Sequence, residues 1–257
     1  MMKNKTLLND IFEYVLSLFF PNRCIFCGEV TAPFDDICSK CKKELPWISG
    51  EICNFCGSSE SDCSCKKRHG FFYDGIIAPL YYVGSVRDSV HALKFQDERR
   101  NAIVFGSLMY QIMIKEYSDI EFDYVTYIPM DKKHERKRGY NQGKLLAKRI
   151  SQLSSITFGD NLIHKLYNTE TQHKCTNIAE RFGNLLGVYD INPEFVVEGK
   201  TILLIDDVKT SGATLNECSK MLYLHGAAAV YCLTAALGNK EVKEKYLKEG
   251  TTCSEQK

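Results

Sequence analysis

Residues 200–215, Lys-Thr-Ile-Leu-Leu-Ile-Asp-Asp-Val-Lys-Thr-Ser-Gly-Ala-Thr-Leu, restrict the fold of this chain more than any other stretch. The run 201–205 is apolar and partly β-branched, the pattern of a strand buried on both faces. It stops at two carboxylates, Asp206 and Asp207. Thr210, Ser211, Gly212 and Thr214 follow, small residues that let backbone N–H groups converge on an anion. Leu215, Cys218, Met221, Leu222 and Leu224 then recur in a helical pattern. A strand, a tight hydroxyl-rich turn and a helix N-terminus together make a phosphate site. Paired acids ahead of such a turn face whatever carries the phosphate, and suit vicinal hydroxyls or a hydrated Mg²⁺.

Rival readings fit less well. No Gly-x4-Gly-Lys-Ser/Thr spacing and no Gly-x-Gly-x-x-Gly turn occur in this stretch. A receiver domain places its acidic pair early and needs more βα units than residues 208–257 hold. An ordinary strand end with solvated aspartates remains the bland alternative.

Around this stretch the chain alternates strands and helices. Strands are expected at 75–82, 123–128, 201–205 and 228–234, with shorter ones near 162–166 and 187–191. Helices are expected at 86–95, 101–117 and 143–153, and from the turn to position 225. Such alternation implies an α/β domain, a mainly parallel sheet flanked by helices, with ligands beyond the strand carboxyl ends. At 257 residues there is room for that domain and a small module.

The module is written in cysteines. Cys24-x2-Cys27 and Cys38-x2-Cys41 make one set, and Cys53-x2-Cys56 with Cys63-x-Cys65 a second. Each set offers four thiolates on two knuckles, as a tetrahedral structural Zn²⁺ site requires. Gly28 and Gly57 follow the leading pairs, where a knuckle turn needs positive φ. A redox Cys-x-x-Cys lacks βαβ context, and disulfides do not suit a reducing compartment. Filling both sites with zinc moves the formal charge from +1 to about −3, so charge alone does not favour tight general nucleic-acid binding.

Ahead of the cysteines, residues 8, 11, 12, 15, 16 and 19 form one apolar stripe, read as an amphipathic helix docking on its own protein. Asp10 and Glu13 interrupt it, so no transmembrane segment is expected and the compartment expected is the cytoplasm. The expected organisation is an N-terminal helix (1–22), a double zinc ribbon (23–70), the α/β domain (71–240) and a tail (241–257) without legible chemistry.

A second polar cluster follows the strand 123–128. Lys132, Lys133, Arg136, Lys137 and Arg138, then Asn141 and Gln142, make the most basic window in the chain. It reads either as a solvated loop or as a contact for pyrophosphate or a phosphodiester. His91, His134 and His225 pair with no nucleophile in the sequence, and Cys175, Cys218 and Cys232 read as packed thiols.

The segment Ile-Leu-Leu-Ile-Asp-Asp-Val-Lys-Thr-Ser-Gly-Ala-Thr resembles the phosphoribosyl pyrophosphate loop of type I phosphoribosyltransferases. With the tandem cysteine sets, the chain resembles the ComF (ComFC/GntX-like) competence family. Ile128-Pro129, Arg138-Gly139-Tyr140-Asn141-Gln142 and Tyr82-x-Gly84-x2-Arg87 with Leu93-Lys94-Phe95 resemble further segments of that family. Lys165, Thr169, Gln172, Arg181 and Asn184 resemble another, with Lys165 where the family has Arg. The resemblance implies that Asp206 and Asp207 act as catalytic residues holding ribose hydroxyls. It implies that Val208, Lys209, Thr210, Ser211, Gly212, Ala213 and Thr214 complete the phosphoribosyl pyrophosphate site, with Mg²⁺, and that the basic window meets pyrophosphate.

Two functions follow from it, and a third reading is a zinc-scaffold regulator that senses phosphoribosyl pyrophosphate without turning it over. The first function is a phosphoribosyltransferase acting in competence, DNA uptake or DNA processing. The second is a non-catalytic adaptor that keeps the fold to bind single-stranded DNA, a competence helicase or another DNA-processing protein.

Overall fold

The computed structural model describes residues 21–33, 35–63, 65, 71–166 and 188–248. In chain order the first elements are α1 (Ser39–Glu44), β1 (Gly75–Ile77), β2 (Leu80–Tyr81), α2 (Gly84–Phe95) and α3 (Arg100–Glu116). Next come β3 (Tyr124–Tyr127), α4 (Lys132–Arg138), α5 (Gln142–Ser154), β4 (Thr157–Phe158), β5 (Ile163–Lys165) and β6 (Tyr189–Ile191). The last four are β7 (Thr201–Lys209), α6 (Ala213–Leu224), β8 (Ala229–Leu237) and α7 (Lys240–Lys248).

The apolar runs make a parallel sheet in the order β1-β8-β7-β3-β4, with β2 also on β8. Ile202, Leu203, Leu204 and Ile205 are all fully buried, and their alternation supplies two cores. Leu203 and Ile205 share one with Phe105, Met109, Leu146 and Ile150 of α3 and α5. Ile202 and Leu204 share the other with Leu215, Cys218 and Leu222 of α6. Each such buried side chain contributes roughly 1.5–3 kcal/mol. The two faces therefore hold the helices that carry the site.

Several elements differ from the sequence reading, among them β4, α1 and a β8 that runs on to Leu237. The strand at 75–82 is two short strands, because Pro79 has no N–H for the ladder; its carbonyl accepts instead from Ile48 N at 3.0 Å. β7 runs four residues past its apolar run, since β8 offers Ala236 and Leu237 as partners to Val208 and Lys209. Strand length here follows the partner's backbone, so both acids lie within the strand rather than beyond it.

The basic window contains a helix, α4, capped by Asp131 (side chain to Lys133 N, 2.8 Å) and closed by Gly139 at φ 84°. Residues after Gly238 also form a helix, α7, in which Val242 and Tyr246 pack on Ile48, Tyr81, Val83 and Leu237. β5 and β6 pair antiparallel, apart from the main sheet.

The cysteine-bearing segment packs into the first core. Phe26 meets Phe105 edge to face at 5.7 Å, Ser89 Oγ donates to Ile25 O at 2.6 Å, and Arg100 pairs with Asp36 at 2.6 Å. The expected N-terminal helix lies outside the described residues.

Candidate functional site

The turn between β7 and α6 is tightly curled. Gly212 adopts φ 78°, a left-handed conformation that glycine reaches without steric cost, and it caps α6. Ser211 Oγ accepts from Ala213 N at 3.3 Å, and Asn216 N bonds Gly212 O at 2.9 Å to begin the helix. Helix geometry leaves the first-turn N–H groups without intrahelical acceptors, and the aligned peptide dipoles make that end electropositive. Thr210, Ser211, Ala213 and Thr214 are exposed around it. The arrangement can hold an anion.

The two acids leave β7 on opposite faces. Asp207 N donates to Asp206 Oδ1 at 2.8 Å. Asp207 is 4% exposed and pairs with Lys94 of α2 at 2.8 Å, while its Oδ2 has no partner among the described residues. Asp206 keeps partial exposure on the α6 side. Burial first, and the neighbouring Asp207 charge second, push its carboxyl up to about 8. A carboxyl at that value is largely protonated near neutral pH without a ligand.

Lys209 runs its stem beneath the turn and turns its ammonium to the second cysteine knuckle, away from the open face where an anion would sit. It is 7% exposed, and its Nζ donates to Cys56 O at 2.9 Å. Val208 is partly buried against the first core.

In the basic window Lys132, Lys133, Arg136 and Lys137 are exposed on α4. Arg138 bonds Gln142 Oε1 and lies over the Phe95 ring at 4.9 Å. Asn141 is buried, donates to Ile128 O at 3.0 Å, and caps α5 by accepting from Lys144 N at 3.2 Å. Those contacts make Asn141 and Gln142 parts of the scaffold under α4. Beside α4, at the carboxyl end of β3, lies a cavity of about 370 Å³ lined in part by Tyr127, Asp131, Lys132, Glu135, Asn161 and Lys165. Lys165 and Asp131 stand 3.9 Å apart across it. Neither Asp206 nor residues 210–214 line this cavity.

Asp131, Glu135 and Asn161 were not singled out in the sequence; the capping position of Asp131 ahead of the basic run was the available signal. Thr169, Gln172, Cys175, Arg181 and Asn184 lie outside the described residues. His91 rests on Phe95 at 4.6 Å, and His225 Nε2 lies 3.4 Å from Asp190. Cys218 and Cys232 are fully buried.

The eight N-terminal thiols assemble as the spacing implies. Cys24, Cys27, Cys38 and Cys41 form one cluster and Cys53, Cys56, Cys63 and Cys65 another, the sulfurs of each lying within 4.8 Å of one another. Cys27–Cys38 and Cys56–Cys63 are each 3.6 Å apart, and all eight thiols are free. Four sulfurs at 2.3 Å from a tetrahedral Zn²⁺ sit about 3.8 Å apart, so both clusters fit zinc. Gly28 and Gly57 take φ of 75° and 80°, turning each knuckle.

Comparison with known proteins matches two parts of the chain to families. The double zinc ribbon domain family matches residues 15–68, and the phosphoribosyl transferase domain family matches residues 138–257. Competence protein F of Haemophilus influenzae is 27% identical over 216 residues, covering 79% of this chain and 92% of that protein. Competence protein ComFC of Bacillus subtilis is 28% identical over 208 residues, 77% of this chain and 82% of that protein. Among solved structures, a glutamine phosphoribosylpyrophosphate amidotransferase from B. subtilis, complexed with ADP and GMP, aligns with TM-score 0.39 and 20% identity. That alignment covers 52% of this chain and only 26% of the enzyme. No helix among the described residues is long and apolar enough to cross a membrane.

Proposed function

We propose, from the premise that this chain belongs to the ComF family, a double zinc ribbon ahead of a type I phosphoribosyltransferase-like domain, that it binds phosphoribosyl pyrophosphate with Mg²⁺. The observation that carries this reading is the curled turn at Gly212, opening α6 at the carboxyl edge of a parallel sheet beside Asp206. In it the 5′-phosphate sits on the N–H groups of residues 210–214, and Asp206 accepts from ribose hydroxyls. The exposed cations of α4, Lys132, Lys133, Arg136 and Lys137, face the pyrophosphate.

Departure of pyrophosphate from the anomeric carbon builds positive charge on the sugar, so the protein's task is positioning and electrostatic support. Asp206, the carboxylate partly exposed beside the turn, would help to hold a hydrated Mg²⁺ brought in with the ligand. When bound, Mg²⁺ would supply charge neutralisation on the leaving group. The free-thiol clusters suit a reducing compartment such as the cytoplasm.

A second reading is binding without turnover, in which the fold serves as an adaptor for single-stranded DNA or a helicase in DNA uptake. Asp207 favours it, because that acid is committed to Lys94 rather than presented beside Asp206. The names of the relatives favour a competence setting.

Isothermal titration of the zinc-loaded protein with phosphoribosyl pyrophosphate and Mg²⁺ tests the first reading. Saturable binding supports it, and no binding refutes it. Release of pyrophosphate in the presence of candidate acceptors separates transfer from binding alone.

A further inference from the structure

Three consecutive carbonyls of the second cysteine knuckle are held by the α/β domain. Asn54 O accepts from Ile76 N of β1 at 3.0 Å, and Phe55 O from the Tyr73 hydroxyl at 3.1 Å. Cys56 O accepts from Lys209 Nζ at 2.9 Å. Below them, Asn239 Nδ2 donates to Ser58 Oγ at 3.0 Å and to Asp62 O at 2.9 Å. The first knuckle engages a different face, through Ser89 of α2 and Phe105 of α3.

Lys209 is the last residue of β7, three positions before Gly212. Its stem packs under the turn: a Cβ placed on Gly212 would lie 3.1 Å from Lys209 Cε and 3.8 Å from Phe71 Cε1. Its backbone is equally fixed, since Gly238 N donates to Lys209 O at 2.7 Å. A buried ammonium needs a hydrogen-bond acceptor, and the one described for it is the carbonyl of a cysteine in the second cluster. The direction of that carbonyl is set by the knuckle turn, closed by Gly57 N to Cys53 O at 2.7 Å around the four sulfurs.

We infer that Lys209 is a positioning residue that couples the second cysteine cluster to the anion-binding turn, so that the integrity of this metal site, and not of the first, controls how well the turn is formed. With the knuckle closed, the Cys56 carbonyl anchors Lys209, whose stem supports the left-handed Gly212 and aims the first N–H groups of α6. With the knuckle open, Lys209 loses its acceptor and must move its charge toward water. The space under Gly212 then empties. The ligand consequence rests on the phosphoribosyl pyrophosphate reading, whereas the coupling itself does not.

The test uses the full-length, zinc-loaded protein and Lys209→Met, which keeps an unbranched stem and removes the donor. Zinc content, hydrogen exchange of peptide 206–216, and titrations with Mg²⁺–phosphoribosyl pyrophosphate and Mg²⁺–pyrophosphate are measured. The variant is expected to keep two zinc ions per chain while exchange in 206–216 accelerates and phosphoribosyl pyrophosphate affinity falls roughly tenfold or more, the loss of one charged hydrogen bond. Pyrophosphate affinity should be unchanged, because α4 is held elsewhere. Unchanged exchange in the turn, or an equal loss for pyrophosphate, overturns the coupling.

If the variant does not fold, graded chelation of the wild type decides. Protection of 206–216 should fall in step with 53–65 and not with 24–41. A turn that stays protected after 53–65 has opened overturns the inference. A wild type that binds no phosphoribosyl pyrophosphate refutes the proposed function, and the exchange data still judge the coupling.

Discussion

Asp206→Asn should stabilise the ligand-free protein, and by more as the pH rises. The substitution keeps an oxygen to accept from Asp207 N, so the contact at 2.8 Å survives and only the ionisable group is lost. In the fold the Asp206 carboxyl is pushed up to about 8 by burial and by Asp207, against about 3.9 in an unfolded chain. A carboxyl whose folded pKa is raised favours folding in its protonated form. Its full contribution is therefore present below about pH 4 and is lost as pH climbs through 8. Each pH unit across that window costs at most about 1.4 kcal/mol, or up to about 6 kcal/mol in all.

Asp206 is partly exposed, and screening by water brings the realised penalty near pH 8 to about 2 kcal/mol. That corresponds to roughly 4–8 °C in Tm. Thermal or urea melts of zinc-loaded wild type and variant at pH 5, 6.5 and 8 measure it. The pH dependence of the thiolate sites is common to both proteins and drops out of the difference. A stability gap that fails to grow with pH, or a variant less stable at pH 8, refutes the reasoning.

Lys94→Met strands the buried Asp207 carboxylate and should cost about 3–5 kcal/mol in urea unfolding, most of it recovered by adding Asp207→Asn. Gly84→Ala should lower stability by about 1–3 kcal/mol, because position 84 holds φ 49° and a Cβ there strikes the Tyr246 ring. Tyr246→Ala in the same chain should return part of that loss. Replacing Arg136, Lys137 and Arg138 together by Ala should weaken Mg²⁺–pyrophosphate binding about tenfold and flatten its salt dependence, read by titration at two ionic strengths.

What the sequence showed and what it hid divide along range. The buried run 201–205, the glycine of the turn and the cysteine spacing are local patterns, and each was legible. β7 reaching Lys209 was not, because its length is set by the backbone of β8, which no side chain in 206–209 announces. α4 was signalled by Asp131 and Gly139, but a run of cations without an apolar stripe reads as solvated chain. The partner of Asp207 could not be read at all. Lys94 stands more than a hundred residues upstream, and only the packing of α2 beside β7 brings them together. The same holds for Lys209, which matched an anion-loop pattern by position yet reaches the neighbouring knuckle.

The helix at 240–248 bears on how this protein can be handled in the laboratory. A designer working from motifs would end a shortened version at Gly238, where recognisable chemistry stops. That cut removes Asn239, whose amide holds Ser58 and Asp62, and strips the lid from Tyr81, Val83 and Leu237. Such a trimmed version would be greasy at one corner and loose at one metal site, while every residue of the turn between β7 and α6 was still in place.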